Sequence, residues 1–252
     1  MAAGRIRVGI GGWTYEPWRG TFYPQGLAQA RELEYAAAHL GAIEINGTFY
    51  SSFKPTSFAK WAASAPEGFV FTVKASRFTT VRKMLADGAA SVEKFLGQGL
   101  EALEDKLGPI LWQFPHTKAF DPQDFAGFLK RLPDRIGNRP LRHALEVRHA
   151  SFEDAAFVRL AKETNAAIVY ADKPGYPTID ERTADFAYAR LQRAEEDVPT
   201  GYAPKVLDDW AAKARGWAEG GRDTFVFMIN GAKVRAPAAA AALIERLPAH
   251  AP

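Results

Sequence analysis

Residues 42–50 read AIEINGTFY. Ile43 and Ile45 alternate with Glu44 and Asn46, the period-two pattern of a strand with two unlike faces. The isoleucines suit packing under covering helices, while the acid and the amide face the other way. Gly47 breaks the run, and Thr48, Phe49 and Tyr50 open a loop. A carboxylate and an amide on the inner face of a strand, near its end, have two readings. They form a buried network that satisfies itself, or they belong to a site.

Working outward, seven further runs have strand character: 7–12 (RVGIGG), 70–75 (VFTVKA), 110–114 (ILWQF), 143–149 (HALEVRH), 167–172 (AIVYAD), 186–191 (FAYARL) and 223–230 (DTFVFMIN). The glycines of the first suit a backbone that must approach something closely. Helical patterns fall between the strands. They cover 28–40, 57–64 with Thr56 as N-cap, and 90–107 cut off by Gly108 and Pro109. Further helices are expected over 122–132 with Asp121 as N-cap and Pro122 first, from Ser151 or Asp154 to about 165, over 205–218, and over 237–247. Pro174, Gly175 and Pro177 interrupt 173–185, so no helix is expected there. The stretch SRFTTVRKM (76–84) is basic and irregular.

Eight strands alternating with helices argue for parallel βαβ units, and 252 residues match one barrel. The predicted fold is α/β, a TIM (β/α)8-like barrel with an irregular sixth helix, as a single domain over 1–252. A doubly wound open sheet is the competitor. Its glycine-rich turn should run straight into a helix, whereas GIGGW is followed by a long aromatic loop.

Composition narrows the function classes. The formal net charge of +3 gives no bulk attraction to nucleic acid, though a local basic patch stays open. The absence of cysteine excludes disulfides, thiolate metal sites and a cysteine nucleophile. No run is long and apolar enough for a signal peptide core or a membrane span, so a cytoplasmic protein without membrane association is expected.

The runs GIGGWTYEPWRGTFYP, EINGTFY, FVFTVKASRFTT, PILWQFP and ALEVRHASF together resemble the YecE-like family (domain of unknown function 72). The likeness extends from Val8 to Asn230. It implies a TIM-barrel-like fold and leaves the activity open, since that family has none established. One departure stands out. After its seventh strand the family carries an arginine followed shortly by histidine and glycine, whereas this chain reads ARLQRA. Arg190 matches and the histidine is absent, which puts any role of that histidine in doubt.

Catalytic groups of such barrels sit at the C-terminal strand ends. That rule collects Trp13, Tyr15, Glu44, Asn46, Lys74, Arg77, Gln113, Glu146, Arg148, Asp172, Arg190 and Asn230. Parity points Glu44 with Asn46, and Glu146 with Arg148, into the barrel. Glu44 and Glu146 are candidates for acid/base work, and Lys74, Arg148 and Arg190 for neutralising the acids or holding an anion. Lys74 could act as a Schiff-base nucleophile, although an ion pair suits its neighbours better. Trp13, Tyr15, Trp18, Phe49, Tyr50 and Trp112 could stack on a ring, with Trp112 and Phe49 reading rather as core.

No cofactor is predicted. A single hard divalent cation on Glu44, Glu146 and Asp172 is possible, against competition from the lysine and arginines. Of the five histidines, His39, His143 and His250 lie away from the mouth, and His116 and His149 form no paired motif. The leading expectation is an enzyme acting on a small anionic ligand, such as a phosphorylated sugar or a nucleotide. A nucleic-acid binder or nuclease using the basic 76–84 loop is the second, and a non-catalytic scaffold the third. The oligomeric state is not legible.

Overall fold

The computed structural model describes residues 4–247, so His250 lies outside the described residues. In chain order the strands are β1 (Ile6–Gly11), β2 (Ala42–Ile45), β3 (Val70–Lys74) and β4 (Leu107–Gln113). A small antiparallel pair follows, β5 (Arg135–Ile136) and β6 (Arg139–Pro140), which is additional to the eight expected strands. Then come β7 (His143–Glu146), β8 (Ala167–Ile168), β9 (Tyr170–Asp172), β10 (Phe186–Leu191) and β11 (Asp223–Met228).

All strands except the small pair form one parallel sheet in the order β8-β7-β4-β3-β2-β1-β11-β10-β9. The two ends of that order are halves of the same run. β8 pairs with β7, β9 pairs with β10, and Val169 alone separates them. The sixth strand therefore changes partner halfway along and nearly closes the barrel.

Alternation sorts the side chains as a barrel requires. Ile43, Ile45, Val73, Ile110, Trp112 and Leu145 pack outward under the helices. Ala42, Val70, Leu111, Ala144, Tyr188, Phe225 and Phe227 fill the interior. At the β1–β2 seam, a Cβ on Gly9 would lie 1.9 Å from the Ala42 carbonyl oxygen, so only glycine fits that approach.

The helices are α1 (Glu32–His39), α2 (Pro55–Ala63), α3 (Arg77–Thr80), α4 (Ala89–Leu96), α5 (Pro122–Leu129), α6 (Ala155–Glu163), α7 (Pro204–Trp217) and α8 (Ala236–Ile244). Asp121 caps α5, accepting from the Gln123 and Asp124 amides at 2.9 and 3.0 Å. Asp154, rather than Ser151, caps α6. As expected, 173–185 holds no helix.

Two expectations are corrected. Thr56 is inside α2 and does not cap it, because Pro55 already occupies the first turn. The helix expected over 90–107 is divided into α4 and a 3-10 segment, Leu100–Lys106, separated at Gly97 and Gly99. Gly108 and Pro109 then lie inside β4 instead of stopping a helix. They fit there because the β3–β4 register slips between Phe71 and Val73, a bulge that spares the proline's missing N–H.

Candidate functional site

The ends of β2, β3, β4, β7 and β10 bring a connected polar cluster to the C-terminal mouth. At its centre is Arg190, 2% exposed. Its Nε donates to Glu44 Oε2 at 3.0 Å and its Nη2 to Glu44 Oε1 at 2.9 Å. Its Nη1 donates to Glu146 Oε2. Arg148 Nε donates to the other oxygen of Glu146 at 2.7 Å, and its Nη2 to Gln113 Oε1 at 2.6 Å. The Tyr188 hydroxyl donates to Glu44 Oε2 at 2.7 Å and lies 3.0 Å from Thr72 Oγ1. Both carboxylates are thereby committed, as buried charges must be.

Electrostatics follow from this arrangement. Burial alone would raise Glu146, but Arg190 and Arg148 outweigh it and hold the carboxyl below its ordinary range. Burial raises the Tyr188 phenol far above its usual value, with Glu44 adding to it. Burial would lower Arg190, yet Glu146 and Glu44 raise it, so it is a permanent cation.

Above this cluster opens a cavity of about 590 Å³. Its floor and walls include Lys74, Gln113, Arg148, Arg190, Asn46, Asn230 and Lys233, with Trp13, Phe49, Tyr50, Phe53 and Trp61 around them. Among the described residues, no aspartate or glutamate lines it. The Lys74 Nζ sits 4.2 Å above the Phe49 ring centre, and the Tyr176 ring covers the Arg148 guanidinium at 4.9 Å. Burial, followed by the charge of Arg190, pulls Lys74 from an ordinary 10.5 to about 8, against the opposing pull of Glu44 and Glu146.

Most of the residues singled out in the sequence meet here: Trp13, Asn46, Lys74, Gln113, Arg148, Arg190 and Asn230 line the cavity. Glu44 and Glu146 lie beneath the lining, wholly buried. Several expectations change. Asp172 shares strand parity with Ile168 and Tyr170, which pack outward, and it pairs with Arg193 at 3.6 Å away from the mouth. The three carboxylates considered for a hard cation are therefore not assembled. Glu44 and Glu146 spend their oxygens on arginine and tyrosine, and no group of three potential ligands occurs among the described residues. Arg77 is exposed beside Phe78 and turned out of the cavity. Tyr15 packs on Trp18 and under Lys233, and Trp18 is core. Trp112 is core as expected, whereas Phe49 forms cavity wall. The ion pair expected of Lys74 is absent among the described residues, because Arg190 and Arg148 take both nearby carboxylates.

Residues the sequence reading missed include Tyr188, Trp61, Phe53, Lys233 and Gln192. Tyr188 was legible, since it shares the parity of Arg190 two residues on. Gln192 occupies the stretch where the histidine is absent. It is buried and accepts from Asn230 Nδ2 at 3.1 Å, tying β10 to the cavity-lining asparagine.

Comparison with known proteins gives a consistent picture. Residues 7–252 match the family described as "Protein of unknown function DUF72". A DUF72 family protein from Thermotoga maritima superposes with a TM-score of 0.77 at 21% identity, covering 96% of this chain and 98% of that one. One from Enterococcus faecalis gives 0.74 at 17% identity, covering 98% and 97%. The UPF0759 protein YunF of Bacillus subtilis (strain 168) is 27% identical over 158 residues, 60% of this chain. That match spans 54% of YunF, about half its length.

Proposed function

The chain belongs to the DUF72 family, of unknown function, and from that premise we propose that the barrel mouth binds and transforms a small anionic molecule. One observation carries the reading. Four cationic side chains, Lys74, Arg148, Arg190 and Lys233, line the cavity, and among the described residues no carboxylate does. Glu44 and Glu146 offset two of those charges from below, which leaves a positive surplus facing the opening. Arginines in this setting suit the oxygens of phosphate or carboxylate. The aromatic wall of Trp13, Phe49, Tyr50 and Trp61 suits the flat or apolar face of a sugar or base.

The roles differ from the sequence expectation. Arg148 and Lys233 hold the anion beside Lys74, and Arg190 presents a fixed charge below it. Glu44 and Glu146 act in this reading as counter-ions that keep Arg190 in place. Glu146, held below its ordinary range by Arg190 and Arg148, is a poor proton donor at neutral pH.

Calorimetry with inorganic phosphate, a sugar phosphate and its dephosphorylated sugar tests the proposal. The phosphorylated compounds should bind and the neutral sugar should not. Arg148→Ala should weaken binding by roughly ten-fold or more, the scale of one charge-assisted hydrogen bond. Equal binding of the neutral sugar, or no binding by any of them, overturns it.

A second reading has one observation in its favour. Phe78 and Tyr50 are 61% and 67% exposed, with Arg77, Arg82 and Lys83 near Phe78 in the chain. Exposed aromatics beside cations suit single-stranded nucleic acid. Binding to an oligonucleotide that weakens steeply with salt would support this reading, and no binding at low salt would remove it.

A further inference from the structure

The two arginines of the mouth are tied to carboxylates, but Lys74 is not. It ends β3, is 7% exposed, and lines the cavity. Its backbone is anchored, since the Thr48 hydroxyl donates to the Lys74 carbonyl oxygen at 2.7 Å. Its Nζ rests on the face of Phe49. The charged groups acting on it are Arg190 of β10, Glu44 of β2, and Glu146 and Arg148 at the end of β7. Both acids are engaged by the guanidiniums. The amine is thus buried, positioned and, among the described residues, without a counter-ion of its own, the environment in which a lysine becomes a nucleophile.

We propose that Lys74 captures an aldehyde or ketone carbonyl of the anionic molecule as a Schiff base, while Arg148 and Lys233 hold the anionic group. This rests on the anion-binding reading above and adds the substrate class, a carbonyl compound bearing phosphate or carboxylate. The unprotonated amine attacks the carbonyl carbon, forming the C–N bond, and the carbonyl oxygen takes a proton to become a hydroxyl. The hydroxyl then takes up the proton that the Lys74 ammonium first released, the C–O bond breaks with water leaving, and the nitrogen lone pair forms the C=N bond. Overall, the ammonium and the carbonyl give a protonated imine and one water, with no oxidant or reductant. The lowered proton affinity of Lys74 supports the first step. A value of about 8 instead of 10.5 makes the free amine about 300-fold more abundant at pH 7.

The test is trapping on the full chain with pyridoxal 5′-phosphate, an aldehyde bearing phosphate, followed by borohydride reduction and peptide mapping. Stoichiometric label on Lys74 is expected, competed by inorganic phosphate, with a labelling rate that rises with pH to a midpoint near 8. Lys74→Arg should lose that label, and mapping of the wild-type chain decides the outcome even if the variant does not fold. Label spread over surface lysines with Lys74 spared overturns the proposal. If phosphate still binds in that case, the anion reading survives alone. Should Lys74 be labelled equally by butanal and pyridoxal 5′-phosphate, with no competition by phosphate, the nucleophile stands and the anion reading falls.

Discussion

Arg190 and Glu44 meet through two hydrogen bonds, Nε to Oε2 at 3.0 Å and Nη2 to Oε1 at 2.9 Å. Their side chains are 2% and 0% exposed. The third edge of the guanidinium reaches Glu146, so one cation joins β2, β7 and β10 across the ring. Removing one member of a buried ion set strands the others without solvent. Arg190→Met is expected to lose about 3–5 kcal/mol or more in urea unfolding. Arg190→Lys should recover little, because an ammonium cannot supply the fork that Glu44 accepts. A loss below about 1 kcal/mol in Arg190→Met, the scale of an exposed pair, would show that the cluster does not hold the mouth together.

The acid limb of the stability curve should report on Glu146. Its folded-state proton affinity is lowered, since Arg190 and Arg148 overcome the effect of burial. A lowered carboxyl contributes stability that is present above its ordinary pKa, and that is lost as pH falls through the folded value. Glu146→Gln removes this contribution. The variant is expected to be less stable than wild type at pH 7, with the gap narrowing below pH 4.5, the ordinary glutamate value. Urea midpoints across the acid range measure it, and a gap that does not change with pH would contradict the assignment.

Lys74 is lowered as well, but there the shift is a cost at neutral pH instead of a gain. Its affinity for protons is lower folded, about 8, than unfolded, about 10.5. Between those values the unfolded chain binds more protons, so stability should rise with pH through that window. The penalty for the buried ammonium is complete below pH 8 and gone above 10.5. It amounts to at most about 3 kcal/mol at 1.36 kcal/mol per unit. Lys74→Met should therefore gain on wild type most near pH 7 and least near pH 10.5. Parallel stability curves for the two proteins across that range would rule out the shifted lysine.

Local pattern carried the fold well and the site only in part. The alternation in 42–50 placed Glu44 inward because side-chain direction in a strand is a local property. The strand-end rule then found Lys74, Gln113 and Arg190. Pairing was another matter. Glu44 and Arg190 are 146 residues apart, and they meet because β1 and β11 pair between β2 and β10 and the sheet curls so that both side chains face the barrel interior. Nothing local distinguishes that partner from Lys74. Asp172 was misplaced by position along its strand, although its parity with Ile168 and Tyr170 already turned it outward. Trp61 comes from α2 and Lys233 from the turn after β11, so their arrival at the cavity depends on loop paths that no periodicity encodes.

Two glycines of the first strand separate barrel closure from the site. An added Cβ on Gly9 would stand 1.9 Å from the Ala42 carbonyl oxygen, a backbone atom fixed by the β1–β2 pairing. On Gly11 it would stand 2.8 Å from Asn46 Nδ2 and 3.0 Å from Ile229 Cδ1, both ends of side chains that can move. Gly9→Ala must therefore push two strands apart and is expected to prevent stable folding. Gly11→Ala should fold, with a cost of about 1–3 kcal/mol for overpacking. It should also displace Asn46 from the cavity wall and weaken phosphate binding. Circular dichroism and calorimetry on the two variants provide the check. If Gly11→Ala binds phosphate as tightly as wild type, Asn46 has no part in holding the anion.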